Sequence, residues 1–157
     1  MLDLSLVIKA PPRRILRAFF ERGALATWWQ VAHAVTTPRA LGAYAVEWTP
    51  TDFRDEILGR LGGVFRGTVI RFDATGFLVA DAFWLPPDSD PIGPMALEVT
   101  CDVVNSAGTP DAPSDAVTRV RVRQTGFEES PRWRRYYDVV TVGWERALAS
   151  LKTLLEQ

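Results

Sequence analysis

The chain is short of the residues that build many kinds of site. It has one cysteine, Cys101, and one histidine, His33, in 157 residues. A single cysteine rules out an internal disulfide and a cysteine-rich metal centre. A lone histidine with no Cys or His cluster around it is a poor metal site. Charge of one sign is missing too: 18 basic residues stand against 19 acidic ones, a formal net charge of −1. No global field therefore draws the chain to nucleic acid or to an anionic membrane. No apolar run approaches the length that spans a bilayer. The amino-terminal stretch MLDLSLVIKAPPRR alternates instead of presenting a basic end and an apolar block, so it does not read as a signal peptide. An intracellular, cytoplasmic protein is the expectation.

What is present is a globular composition, 47% apolar, at a length that suggests one domain over residues 1–157. At that size roughly 70% of the unfolded chain's surface can be buried, enough for one substantial core. Six tryptophans and eight phenylalanines are the compositional oddity. They need a place to go.

Leu2, Leu4, Leu6 and Ile8 alternate with Asp3 and Ser5, which marks a half-buried first strand ended by Pro11 and Pro12. A short helix follows with Ile15, Leu16, Phe19 and Phe20 at helical spacing, broken by Gly23. ALATWW (24–29) reads as a second short helical turn that delivers two tryptophans. Residues 31–37 and 43–49 read as strands. Residues 50–62 are irregular and polar, with Phe53, Ile57 and Leu58 as anchors.

VFRGTVIRF and FLVADAFWL flank a four-residue turn and form a hairpin. Pairing Phe72 with Phe77 puts Phe65, Gly67, Val69, Leu78, Ala80, Ala82 and Trp84 on one face. Arg66, Thr68, Ile70, Val79, Asp81 and Phe83 take the other. Aromatics at one end of the first face and small residues in its middle leave room for a docked helix or a cavity. Strand 95–103 places Met95, Leu97, Val99, Cys101 and Val103 inward. After a Gly/Pro/Asp/Ser-rich loop (105–116), VTRVRVRQ turns Arg119, Arg121 and Arg123 outward. Pairing Asp102 with Arg119 also sets Glu98 opposite Arg123, a register that matches opposite charges twice.

Ser130 is a good N-cap and Pro131 suits the first helical position. From there Trp133, Tyr137, Val140, Trp144, Leu148, Leu151 and Leu155 step by threes and fours as one apolar stripe. The helix runs roughly 25 residues, about 38 Å at 1.5 Å per residue, enough to cross a whole sheet. Gly143 interrupts it beside Trp144, at a cost of roughly 1 kcal/mol relative to alanine. That glycine either brings helix and sheet into contact or holds them apart around a guest. The fold class is α+β, with one face of an antiparallel sheet of about six or seven strands against a long C-terminal helix.

IKAPPRRILRAFF, LATWW, LGAYAVEW, FRGTV, GFLVADAFW, VTRVRVRQTGF and VGWERALASLKTLLE occur in order over nearly the whole chain. This series resembles the SRPBCC (START/Bet v-like) superfamily, and within it the family related to the activator of the Hsp-ninety ATPase. The resemblance implies a helix-grip fold, in which a curved sheet wraps around the C-terminal helix. It also implies a cavity between the two that holds a small apolar or amphipathic molecule. Relatives of this kind include lipid carriers, receptors, aromatic cyclases and a co-chaperone tied to stress response, so fold and activity are loosely linked.

Trp28, Trp29, Trp48, Phe65, Trp84, Trp133, Tyr137 and Trp144 are the candidate ligand-binding residues, set against ordinary core packing of the same aromatics. No catalytic triad, paired inner carboxylates or phosphate loop can be assembled, so no catalytic residue and no cofactor is assigned. His33, on one strand face with Val31 and Val35, and Tyr137 are the only actors for a cavity enzyme of cyclase or dehydratase type. A third reading is a protein-interaction domain that stimulates a chaperone through an outer patch of Ile70, Phe72, Phe77 and Val79. Arg132, Arg134 and Arg135 are diluted by Glu128, Glu129 and Asp138 and do not argue for nucleic acid. A homodimer is left open.

Overall fold

The computed structural model describes residues 1–104 and 116–157. Strands β1 (Leu2–Ile8), β2 (His33–Thr36), β3 (Ala43–Trp48), β6 (Gly63–Asp73), β7 (Gly76–Leu85), β8 (Ile92–Val103) and β9 (Thr118–Thr125) form one antiparallel sheet in the order β1-β9-β8-β7-β6-β3-β2. Helices α1 (Pro12–Ala18) and α2 (Arg22–Trp28) follow β1, and α3 (Pro131–Leu155) closes the chain. A two-stranded ribbon, β4 (Arg54–Asp55) with β5 (Gly59–Arg60), stands apart from the sheet. The architecture is the helix-grip α+β fold. The loop expected at 105–116 lies, from 105 to 115, outside the described residues.

The charge-matched register is the one observed: Glu98 faces Arg123, Thr100 faces Arg121 and Asp102 faces Arg119. Glu98 closes on Arg123 at 3.5 Å, while Arg121 turns to Asp3 across β1, with Nε donating at 2.8 Å. Ser130 Oγ accepts from the Trp133 N–H at 3.1 Å and opens a helix of 25 residues. The glycine at 23 does not break the first helix. The chain turns at Phe19–Phe20, and Gly23 sits inside the first turn of α2.

The hairpin pairs Phe72 with Phe77 as expected, but its faces are not continuous. The register shifts between Arg66 and Thr68 and again between Val69 and Arg71, and Asp81 takes a φ of +50°. A bulge inserts a residue and reverses the alternation beyond it. Phe77 and Val79 therefore join Ala82 and Trp84 on the buried side, while Leu78 and Ala80 move off it. Gly67 stays inside, but it leaves no gap: a Cβ there would meet Val79 Cγ1 at 2.7 Å and Ala82 Cβ at 3.0 Å. Val103 is exposed at the strand end, and of the anchors expected in 50–62 only Leu58 is buried.

Two aromatic groups fill the space between sheet and helices. Phe19, Phe20, Tyr44, Phe72 and Phe77 pack edge-on or stacked under α1. The second group is built around α3 and does not close.

Candidate functional site

Helix α3 is pinned at both ends, by the β4–β5 ribbon and the β7–β8 connection at one and by the end of β1 at the other. At its N-terminal end the Arg135 Nε donates to Asp55 at 2.7 Å, and Arg132 bonds Ser89 Oγ and the carbonyls of Asp90 and Pro91. At its C-terminal end Lys152 Nζ donates to the Val7 carbonyl at 2.9 Å, and Glu156 accepts from the Lys9 N–H at 2.8 Å. Between the pins the helix stands off from the sheet over a cavity of about 620 Å³. That is within the roughly 300–1,000 Å³ of small-molecule sites.

Six of the eight aromatics expected to bind a ligand line this space: Trp28, Trp29, Trp48, Phe65, Trp84 and Trp144. Trp29 stacks on Trp28 at 5.0 Å between ring centroids and leans on Trp144 at 4.7 Å. The indole N–H groups are largely spent on the protein. Trp28 donates to the Ala18 carbonyl, Trp48 to Trp29, Trp84 to Gly62 and Trp144 to the Gln124 side chain, all at 2.7–2.9 Å. The cavity therefore sees ring surface, while the polar handles that buried tryptophans require are satisfied behind it.

The other two candidates are elsewhere. Trp133 is buried, but it packs on Phe127 at 5.4 Å and is not part of the cavity wall. Tyr137 is 38% exposed and its ring meets Phe127 edge-to-face at 5.8 Å between centroids. Its neighbour Tyr136, 5% exposed, takes the inward position and stacks on Trp84 at 5.4 Å. One helical residue is a rotation of 100°, so choosing the wrong member of a Tyr-Tyr pair moves the hydroxyl from cavity wall to surface.

Gln124 is the wall residue with no counterpart in the expectations. It continues the inward phase of Thr118, Val120 and Val122, and a polar side chain in an apolar phase is the signal that marks it. Its Oε1 accepts from Trp144 at 2.7 Å, and its Nε2 donates to the Tyr136 hydroxyl at 3.4 Å and to Met95 Sδ at 3.3 Å. Burial pushes the Tyr136 hydroxyl up to about 12, so it remains a neutral donor through the physiological range.

Gly143 lies on the same wall, and nothing stands within 4 Å of where its Cβ would be. It holds no close contact between helix and sheet; it is an opening. Threonines 49 and 51, Leu61 and Gly62 from the segment leading into and out of the β4–β5 ribbon form the facing rim. The ribbon is tied down by Asp55, whose other oxygen accepts the Ile57 and Leu58 N–H groups at 3.1 and 3.0 Å, and by Asp88, which takes Arg60 in a bidentate pair at 2.8 and 2.9 Å.

His33 is exposed on the outer side of β2, beside an exposed Val35. Neither it nor Tyr137 reaches the cavity, whose lining contains no histidine, carboxylate or thiol among the described residues. Cys101 is buried and its thiol is pushed up to about 12 by desolvation. The outer patch is not assembled either, because Phe77 and Val79 face the core. No group of metal-ligating side chains occurs, and no helix is long and apolar enough to cross a membrane, among the described residues.

No family model matches the chain, and no curated protein does. Solved structures do match, over 98–99% of its length. Protein Ms6760 from Mycobacterium smegmatis superposes with a TM-score of 0.70 at 16% identity, over 98% of this chain and 89% of that one. The AHSA1 protein from Silicibacter pomeroyi gives 0.59 at 13% identity, over 98% and 97%. The Aha1 dimer from Colwellia psychrerythraea gives 0.55 at 17% identity, over 99% and 97%. These likenesses are likenesses of fold: the element order is that of the helix-grip fold, which the AHSA1 and Aha1 structures share with this chain.

Proposed function

We propose that the chain is a binding module that takes a small hydrophobic molecule into the cavity between α3 and the sheet. The observation that carries this reading is a wall of five tryptophans and Phe65 around about 620 Å³ of space. Four of those indoles have their N–H bonded to protein acceptors. A core of this size ordinarily closes its voids, because an unfilled apolar gap forfeits dispersion contacts on every side. Here the helix is pinned at its ends and carries a glycine over the gap, so collapse is resisted and a guest recovers the missing contacts.

The alternatives have lost their residues. A cyclase or dehydratase needs an internal acid or base, and His33 and Tyr137 are both on the surface. A chaperone-stimulating role draws support only from the Aha1 name of two structural neighbours, since its outer patch is divided between core and surface.

The test is a titration with N-phenyl-1-naphthylamine, a neutral apolar fluorophore. Saturable enhancement of its emission at one probe per chain, with quenching of the protein's tryptophans, supports the reading. A linear, non-saturating response overturns it.

A further inference from the structure

The cavity is graded from an apolar interior to a polar mouth. Trp28, Phe65, Trp84 and Trp144 are buried, whereas Gln30, Thr49, Gly143 and Arg146 are exposed parts of the same lining. Arg146 is the only fixed charge in that lining among the described residues. It lies three residues beyond the Gly143 opening and four before Ser150, so the three share one face of α3 at the mouth. The side chains three and four residues away (Val142, Gly143, Ala149 and Ser150) include no acid, and Arg146 enters no ion pair among the described residues. Its neighbours Arg132, Arg134 and Arg135 on the same helix are all engaged, with Ser89, Glu129 and Asp55.

We propose that the ligand is an amphiphile with one anionic head group, bound by Arg146 at the mouth while its apolar body lies against the tryptophans. This rests on the cavity being a binding site and adds the sign and position of the ligand's charge. A guanidinium recognises a carboxylate, sulfate or phosphate monoester through paired N–H donors, and Thr49 and Ser150 add two hydroxyl groups to the same lining. A cationic head would face an unpaired arginine and no carboxylate. A purely apolar guest would leave the polar rim without a role.

Displacement of bound N-phenyl-1-naphthylamine by dodecanoate and by 1-dodecanol at pH 7.5 separates the two ideas. The alcohol is the more hydrophobic competitor, so a preference for the carboxylate requires a cation. The expected result is displacement by dodecanoate at a concentration at least tenfold lower. Arg146→Gln removes that preference with the dodecanol curve unchanged, and Arg146→Lys retains most of it. Equal displacement by both, or a preference that survives in Arg146→Gln, overturns the head-group assignment and leaves the cavity intact. Failure of the naphthylamine itself to bind overturns both.

Discussion

Trp144 Nε1 donates to Gln124 Oε1 at 2.7 Å, joining the middle of α3 to the last strand through two buried side chains. Both residues line the cavity, so the bond ties the helix to the sheet within its wall. Gln124→Leu removes the acceptor and leaves a buried indole N–H without a partner, which costs roughly 1–3 kcal/mol. Adding Trp144→Phe removes that donor, so the double variant is less destabilised than the two single losses summed. Urea denaturation of the four proteins measures this, and strict additivity would speak against the bond's role.

Gly143 and Gly67 predict opposite signs for the same substitution. Gly143→Ala places its Cβ in open space and gains helix propensity of roughly 1 kcal/mol. A lower denaturation midpoint in this variant would contradict the opening assigned there.

At Gly67 a Cβ meets Val79 Cγ1 at 2.7 Å and the Ala80 carbonyl oxygen at 2.9 Å. Gly67→Ala is expected to cost roughly 1–3 kcal/mol, the range for an overpacked core. An unchanged midpoint would show that the bulge relaxes freely.

The ribbon at the cavity rim is expected to loosen in acid. The hydrogen bond from Arg135, with those from the Leu58 and Ile57 N–H groups, holds the Asp55 carboxyl below the usual carboxylate range. A depressed folded-state value means the unfolded chain takes up the proton first. The contribution is therefore full above the unfolded value of about 4 and is lost as pH falls through the folded one. Asp55→Asn, followed by urea midpoints from pH 5 down to pH 2.5, is expected to show a shallower decline than the wild type. Asp88, held at about 2 by Arg60, keeps part of the decline in place. Parallel curves would remove Asp55 from the account.

What was legible in the sequence is what alternation and charge determine locally. The Glu98–Arg123 register could be read because a slip by one residue destroys both the charge matching and the inward apolar phase. The Ser130 cap and the length of α3 followed from side chains acting on their own backbone. The faces of β7 could not be read through Asp81, because a bulge changes phase without an unambiguous residue signal. The Tyr136–Tyr137 choice failed because both fit the stripe, and only packing against Trp84 decides between them. Gln124 was visible as a polar residue in an apolar phase, but its partners lie 12, 20 and 29 residues away in the chain.

The account depends on the space beneath Gly143 being open to a guest. Titrating N-phenyl-1-naphthylamine into the wild type and Gly143→Leu measures this directly, with circular dichroism to show that the fold is retained. The cavity reading predicts saturable binding in the wild type and at least a tenfold loss in a folded Gly143→Leu protein, whose new side chain enters the mouth. Equal binding by both proteins, or none by the wild type, would contradict it.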